Sequence, residues 1–278
     1  MHVSLHEFAG AVLRLFAWLV LLTVLFVPLE RWFGPRRAPR PRRERLHDLA
    51  YYVISSLVPI VLLSAPTALL AAAAQHLVPD ALTAAVHGLP SAARMALVFV
   101  VGEIGFYWGH RFCHELPWLW RFHALHHSTE HLHFLANTRT HPVDMVVTRL
   151  FGLVPLYLLG LADPSVAGGG APALLLVLLA VVGNLWGFFI HANLRWRLGP
   201  LEWLVSTPAF HHWHHSRHDH INRNYASMLP VLDRLFGSHY LPRHWPDEYG
   251  TDTPQANTLN GQLLDPLLPA KKPAATQI

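Results

Sequence analysis

Residues 93–114 read ARMALVFVVGEIGFYWGHRFCH. Up to residue 108 the stretch is apolar around a single acid, Glu103, and has close to the length that a bilayer-crossing helix needs. It then runs straight into His110 and His114, spaced i and i+4. On a helix that spacing puts two imidazoles on one face. A membrane segment that ends in a pair of metal-competent side chains sets the terms for the rest of the chain.

Working outward, comparable apolar runs occupy residues 12–27, 51–74, 145–162 and 171–190. The composition agrees with lipid as the solvent for much of the chain. Hydrophobic residues make up 52% and charged residues 14% of the 278, against about 25% charged in an average soluble domain. The first run has no basic stretch before it and leads directly into arginine-rich sequence, so it is read as an anchor, not a cleaved signal. Gly168, Gly169, Gly170 and Pro172 mark the turn between the last two runs. Beyond about Gly250 the sequence is rich in Pro, Ala and Gln and is expected to be disordered.

Residues 31–48 form a connection holding Arg31, Arg36, Arg37, Arg40, Arg42, Arg43 and Arg45. The excess of basic residues on cytoplasmic loops places this connection inside. A plain solvated linker is equally compatible and does not change the side. Counting runs from there puts the end of the third run, and everything after the fifth, on the cytoplasmic face. The count uses no histidine, yet it delivers both histidine-rich windows to the same side.

Histidine is the compositional anomaly. Of 22 residues, eight lie between His110 and His141 and seven between His191 and His220. Four pieces carry the pattern: His110 and His114; His123, His126 and His127; the single His191 at the end of the fifth run; and His211, His214 and His215. The i, i+3, i+4 spacing of the triplets again favours one helical face, and neutral imidazole suits iron, zinc, copper and nickel. One HxxxH alone is a weak signal. Two HxxHH and one HxxxH on one membrane face are not, because buried polar groups need partners. Nine such side chains exceed the four a tetrahedral zinc takes, which indicates two metals with positions to spare. His2, His6, His47, His76, His87, His239 and His244 are read as ordinary surface or interfacial residues, and His131, His133 and His220 lean the same way.

Several chemistries are excluded. The lone Cys113 permits neither an intramolecular disulfide nor a cysteine-based zinc or iron–sulfur site. No second histidine completes HExxH after His114-Glu115, and Glu-x-x-His occurs only at Glu130 and His133. No glycine-rich nucleotide loop and no CxxCH is present, so reducing electrons must come from elsewhere. No nucleic-acid partner is expected.

The motifs HRFCH, RFHALHHS, TRTHPVD, FFIHAN, TPAFHHWHHSRH, NRNYAS and DRLFGSHY, in that order over residues 98–240, resemble the fatty acid hydroxylase and sterol desaturase superfamily of membrane enzymes. The resemblance implies a non-haem site of two iron ions (which zinc can displace in purified protein), O2 as co-substrate, and hydroxylation, desaturation or ether cleavage at a C–H bond of a fatty acyl, sterol or ether lipid. It implies His110, His114, His123, His126, His127, His191, His211, His214 and His215 as metal ligands. His141, His218, Asp144 and Asp219 are expected either to join them or to bond to them. Some members carry a further histidine at the place of Gly187, and Asn-Tyr-Gly is common where this chain has Asn224-Tyr225-Ala226.

The expectation is therefore an all-α protein with four to five membrane-crossing or re-entrant helices and a cytoplasmic helical cap bearing the metal site. Residues 1–92 would be anchor helices with a basic cytoplasmic loop, 93–245 the catalytic domain and 246–278 a tail. The location expected is a bacterial inner membrane, with a lipid substrate and a separate electron-donor protein. Trp108, Trp118, Trp120, Trp186, Trp196, Trp203 and Trp213 would anchor the interface or line a lipid channel. Arg139, Arg195 and Arg217 would pair with lipid head groups or with Asp144 and Asp219. Two other classes compete: a metal transporter or store, whose ions would sit near the bilayer midplane, and a zinc-dependent membrane hydrolase using Glu103, Glu115 or Glu130 as base.

Overall fold

The computed structural model describes residues 5–35, 40–162, 173–218 and 220–268. The described residues hold no strand, only an isolated bridge between Ser216 and Tyr249. Three helices are long and apolar enough to cross a membrane: α1 (Leu5–Phe33), α2 (Arg42–Leu77) and α4 (Ser91–Glu115). The short α3 (Asp80–Gly88) joins the last two. Each long helix exceeds the apolar run that predicts it, because backbone groups in lipid have no solvent partner and the helix continues until it reaches one. Exposed Leu13, Phe16, Val24, Ile60, Val61 and Leu69 give α1 and α2 an apolar exterior suited to acyl chains.

The fourth and fifth runs become α6 (Pro142–Leu158) and α7 (Ala173–His191), with 17 and 19 residues. The turn expected between them lies outside the described residues. α4 packs most extensively on α6, and glycine makes that approach possible. A Cβ on Gly105 would meet the carbonyl oxygen of Phe151 at 2.2 Å, and one on Gly109 would meet the Phe151 side chain at 2.6 Å. Small residues one turn apart are a standard means of close helix contact in lipid.

The remaining helices are short and form a cap over one end of the bundle. α5 (Pro117–His123), α6 and α8 (Pro208–His214) each begin with proline at the first turn, where a missing N–H costs nothing. Thr207 caps α8 by accepting from the Phe210 N–H, and His141 caps α6 by accepting from the Val143 N–H. α9 (Val231–Leu235) and α10 (Leu259–Leu264) close the cap.

Four expectations need correction. The arginine-rich connection is largely helix, since Arg31 ends α1 and Arg42, Arg43 and Arg45 open α2. The segment expected to be a disordered tail is folded as far as residue 268. Tyr51 donates to buried Gln262, and the carbonyl oxygen of Leu263 accepts from His141. Arg139 pairs with neither lipid nor Asp144. It is buried and donates twice to Asp48, at 2.6 and 3.0 Å. The same carboxylate holds His133 at 3.0 Å, so His133 is a buried structural residue. The tryptophans divide: Trp118 and Trp203 are exposed, while Trp186 and Trp213 donate to the carbonyls of Ser206 and His244.

Candidate metal centre

All nine histidines implied as ligands are buried and converge in the cap. They form two groups. His110, His114, His123, His127 and His214 make one, and His126, His191, His211 and His215 the other; within each, the nearest ring nitrogens all lie within 4.8 Å of one another. The triplets do not serve as single helical faces. Helix α5 stops at His123, and His126 and His127 lie in a 3-10 turn, His126–Ser128. His123 and His127 join the first group and His126 the second. In the other triplet the division is reversed, with His211 and His215 in the second group and His214 in the first. The i, i+4 pair stays together in both cases, and the third histidine crosses over.

Hydrogen bonds on the far side of the rings fix which nitrogen carries a proton. A carbonyl oxygen only accepts, so the nitrogen facing it must donate. Nδ1 of His110 faces the Tyr225 carbonyl at 2.7 Å, Nδ1 of His214 the Arg223 carbonyl at 2.8 Å, Nδ1 of His191 the Gly187 carbonyl at 2.7 Å and Nδ1 of His126 the Arg139 carbonyl at 3.2 Å. His123 Nδ1 donates to Asp144 at 2.9 Å. In the neutral rings each Nε2 then presents a bare lone pair. Burial, followed by the neighbouring histidines, keeps His127, His211, His214 and His215 well below the ordinary histidine range, and His126 down to about 3. These rings are neutral at pH 7.

The lone pairs point at one another. Nε2 of His126 and His191 are 3.2 Å apart, as are those of His110 and His123. His211 and His215 bring further Nε2 atoms to 2.9 and 3.2 Å from that of His191. The Nε2 atoms of His114 and His214 and both nitrogens of His127 are buried without a hydrogen-bond partner. Such groups repel and are costly to bury. A cation at the centre of each group removes the cost. Imidazole nitrogens bind a divalent transition metal at about 2.0–2.1 Å, which puts adjacent donors about 3 Å apart. The residues fit a pair of metal ions.

Other expected residues fall outside both groups. His141 spends its nitrogens on Val143 and Leu263. His218 is exposed and faces Glu248 and Asp252 at 3.7 and 3.5 Å. Asp219 lies outside the described residues. Arg217 pairs with Asp252 and Glu130. Asp144 touches the first group through His123. At Gly187 an added Cβ would meet the Asn137 amide at 2.8 Å, so no histidine fits there without displacing Asn137.

The segment 222–226 plays a part that side-chain reading could not find. It orients three histidines of the first group: through Asn222 Oδ1 on His114, and through the carbonyls of Arg223 and Tyr225 on His214 and His110. Asn224 holds the segment in a left-handed turn (φ 58°), and its amide bonds Phe210 and Tyr240. Asp233 accepts from the Tyr225 and Ala226 N–H groups. Carbonyl oxygens have no sequence signature; the only hint was the quoted NRNYAS.

A cavity of about 460 Å³ opens on the centre from between α2, α4, α6 and α7. Histidines of both groups form its floor: His110 and His123 of the first, and His126, His191 and His211 of the second. Ser55, Phe106, Thr148 and Phe188 are among its walls.

Comparisons with known proteins agree with this geometry. The fatty acid hydroxylase family model matches residues 95–238. An ornithine lipid hydroxylase, OlsE, from Rhizobium tropici is 36% identical over 179 residues, 64% of this chain and 51% of the relative. Alkylglycerol monooxygenase from Danio rerio is 36% identical over 143 residues, 51% of this chain and 29% of the relative. The Homo sapiens alkylglycerol monooxygenase is 32% identical over 141 residues, 50% of this chain and 29% of the relative. The chain thus spans about half the length of the first of these and less than a third of the others. No solved structure matches.

Proposed function

The chain belongs to the fatty acid hydroxylase family, and on that footing we propose that it is a membrane-bound two-iron oxygenase that hydroxylates or desaturates a C–H bond of a lipid. The observation that carries the proposal is the meeting of bare, buried Nε2 atoms in two all-imidazole groups at the floor of one cavity. The nine histidines are the proposed ligands, five for one ion and four for the other. When bound, the iron pair supplies the activation of O2 and the electron transfer that an unactivated C–H bond requires. Electrons come from a separate protein. Residues 93–245 carry the reaction, residues 1–92 anchor it, and the cap faces the cytoplasm of a bacterial cell.

The protein's own part is to hold, orient and insulate. The Nδ1 bonds to Tyr225, Asp144, Arg139, Gly187 and Arg223 set five ring planes and make the facing nitrogens better donors. Burial of all nine rings leaves the cavity as the approach to the centre. The cavity lets a lipid segment reach both groups from the side of the long helices. A hydrolase would need a general base at the metals. Glu103 accepts from the Met228 N–H, Glu115 pairs with Arg111, and Glu130 is exposed beside Arg217, so none of the three stands in either group.

The test is metal content of detergent-purified protein by elemental mass spectrometry, with His214→Ala as control. Two irons per chain, reduced in the control, followed by O2-dependent mass gain or desaturation in a lipid extract, is the expected result. Zinc alone calls for reconstitution with iron under reducing conditions. Absence of metal from both proteins after reconstitution rejects the proposal.

A further inference from the structure

Charged side chains in membrane helices are costly and are kept where they have a partner or a task. Most of those here have a visible partner. Glu30 accepts from the Phe134 and Asn193 N–H groups at 2.8 and 2.9 Å. Asp48 is held by Arg139, Glu103 accepts from Met228, and Arg94 donates to the His87 carbonyl at 2.7 Å. Arg149, in the middle of apolar α6, has no hydrogen-bond or ion-pair partner among the described residues, and its side chain lines the cavity that ends on the histidines.

Its position relative to the centre follows from the helix. Asp144, which bonds His123, is five residues earlier on α6, so Arg149 lies about 7.5 Å further along the axis. The walls near it are not those of a simple acyl tunnel. Ser55, Asn137, Thr148 and Asn184 also line the cavity with neutral polar side chains, of which Ser55 and Thr148 donate to the carbonyls of Thr138 and Asp144. Asp144 is the only acid in the lining; its Oδ2 accepts from His123, its Oδ1 is buried without a hydrogen-bond partner, and it makes no ion pair with Arg149. Arg149 is itself exposed, so its unpaired guanidinium stands at the open side of a chamber with polar walls, where an oxyanion can accept two of its N–H groups at once.

We propose that Arg149 is a substrate-positioning residue that binds the phosphate or carboxylate of an anionic lipid and so selects that class for the histidine centre. The proposal rests on the oxygenase reading only in taking the cavity as the substrate chamber.

The test is made on full-length protein in detergent, incubated with equimolar dioleoylphosphatidate, oleate and dioleoylglycerol, gel-filtered, and its retained lipid and metal counted by mass spectrometry. Wild type should retain phosphatidate, oleate or both at about tenfold over dioleoylglycerol, and which of them wins identifies the anion. Arg149→Gln should fall to parity with its metal content unchanged, since Arg149 bonds no histidine. Parity in wild type overturns the proposal. So does a preference that survives Arg149→Gln, which would place anion binding on the basic residues of 31–45. Should that variant fail to accumulate, a photoreactive oleate with its diazirine near the carboxyl end gives an answer in wild type. Cross-links within residues 142–158 support the assignment, and cross-links confined elsewhere refute it. Lost preference with metal retained counts against Arg149 alone; absent metal with preference retained counts against the oxygenase reading alone.

Discussion

Oδ2 of Asp144 stands 2.9 Å from Nδ1 of His123, and both groups are buried. The carboxylate fixes the ring's tautomer and makes Nε2 a stronger donor, as outer partners of ligating histidines generally do. Asp144→Asn preserves the shape and removes the charge. Metal affinity should fall by roughly 10–100-fold, read by competition with a chelator of known strength. An unchanged affinity would separate Asp144 from the centre.

Asn224 is the keystone of the segment that orients His110, His114 and His214. It is fully buried, adopts φ 58°, and its amide joins Phe210 to Tyr240. Asn224→Ala leaves three backbone groups unpaired and keeps a left-handed conformation that alanine disfavours. A loss of about 2–4 kcal/mol is expected. Asn224→Gly removes the conformational part and should be the milder change. Denaturant melts in detergent rank the two, and the reverse order would contradict the account.

Gly105 meets α6 where no side chain fits. An added Cβ would lie 2.2 Å from the Phe151 carbonyl oxygen and 2.9 Å from the Gly152 Cα, both backbone atoms that cannot step aside. Gly105→Ala should cost about 1–3 kcal/mol and displace α6 with Asp144 upon it, lowering metal content as well as the melting temperature. Gly102→Ala, whose nearest neighbour is a Leu156 methyl at 3.9 Å, should be harmless. Equal behaviour of the two variants would argue against close α4–α6 packing.

The long helices were legible because lipid imposes one rule on every residue of a crossing, and an apolar run of sufficient length obeys it visibly. The i, i+4 histidine pairs were legible for a similar local reason: each pair does stay within one histidine group. How the triplets divide was not, because the third histidine goes where α5 and α8 place it in space. Arg139 departs from expectation because its partner Asp48 lies 91 positions away and local sequence gives no sign of it. The partners of His110, His126, His191 and His214 are main-chain carbonyls, which any residue type can supply. Gly187, a departure in the sequence, is explained by the Asn137 amide that fills the space beside it.

Acid should release the metal and loosen the cap together. In the unfolded chain these histidines titrate near 6.5, whereas in the folded protein His126 is pushed down to about 3, and His127, His211, His214 and His215 also lie well below 6.5. Above 6.5 the rings are neutral in both states and the folded state keeps its full advantage. As pH falls below 6.5 the unfolded chain takes up protons that the folded protein refuses, so stability declines by up to about 1.4 kcal/mol per pH unit for each such ring. The decline ends only where the folded rings protonate, near pH 3 for His126. Metal binding has the same sign, because protons and metal compete for the same lone pairs. Metal-free protein should therefore melt at progressively lower temperature from pH 7 to pH 5, and metal-loaded protein should lose its ions over the same interval. A melting temperature that stays level between pH 7 and pH 5 would show that the rings are not buried in the neutral form, and with that the case for two imidazole-lined metal sites would fail.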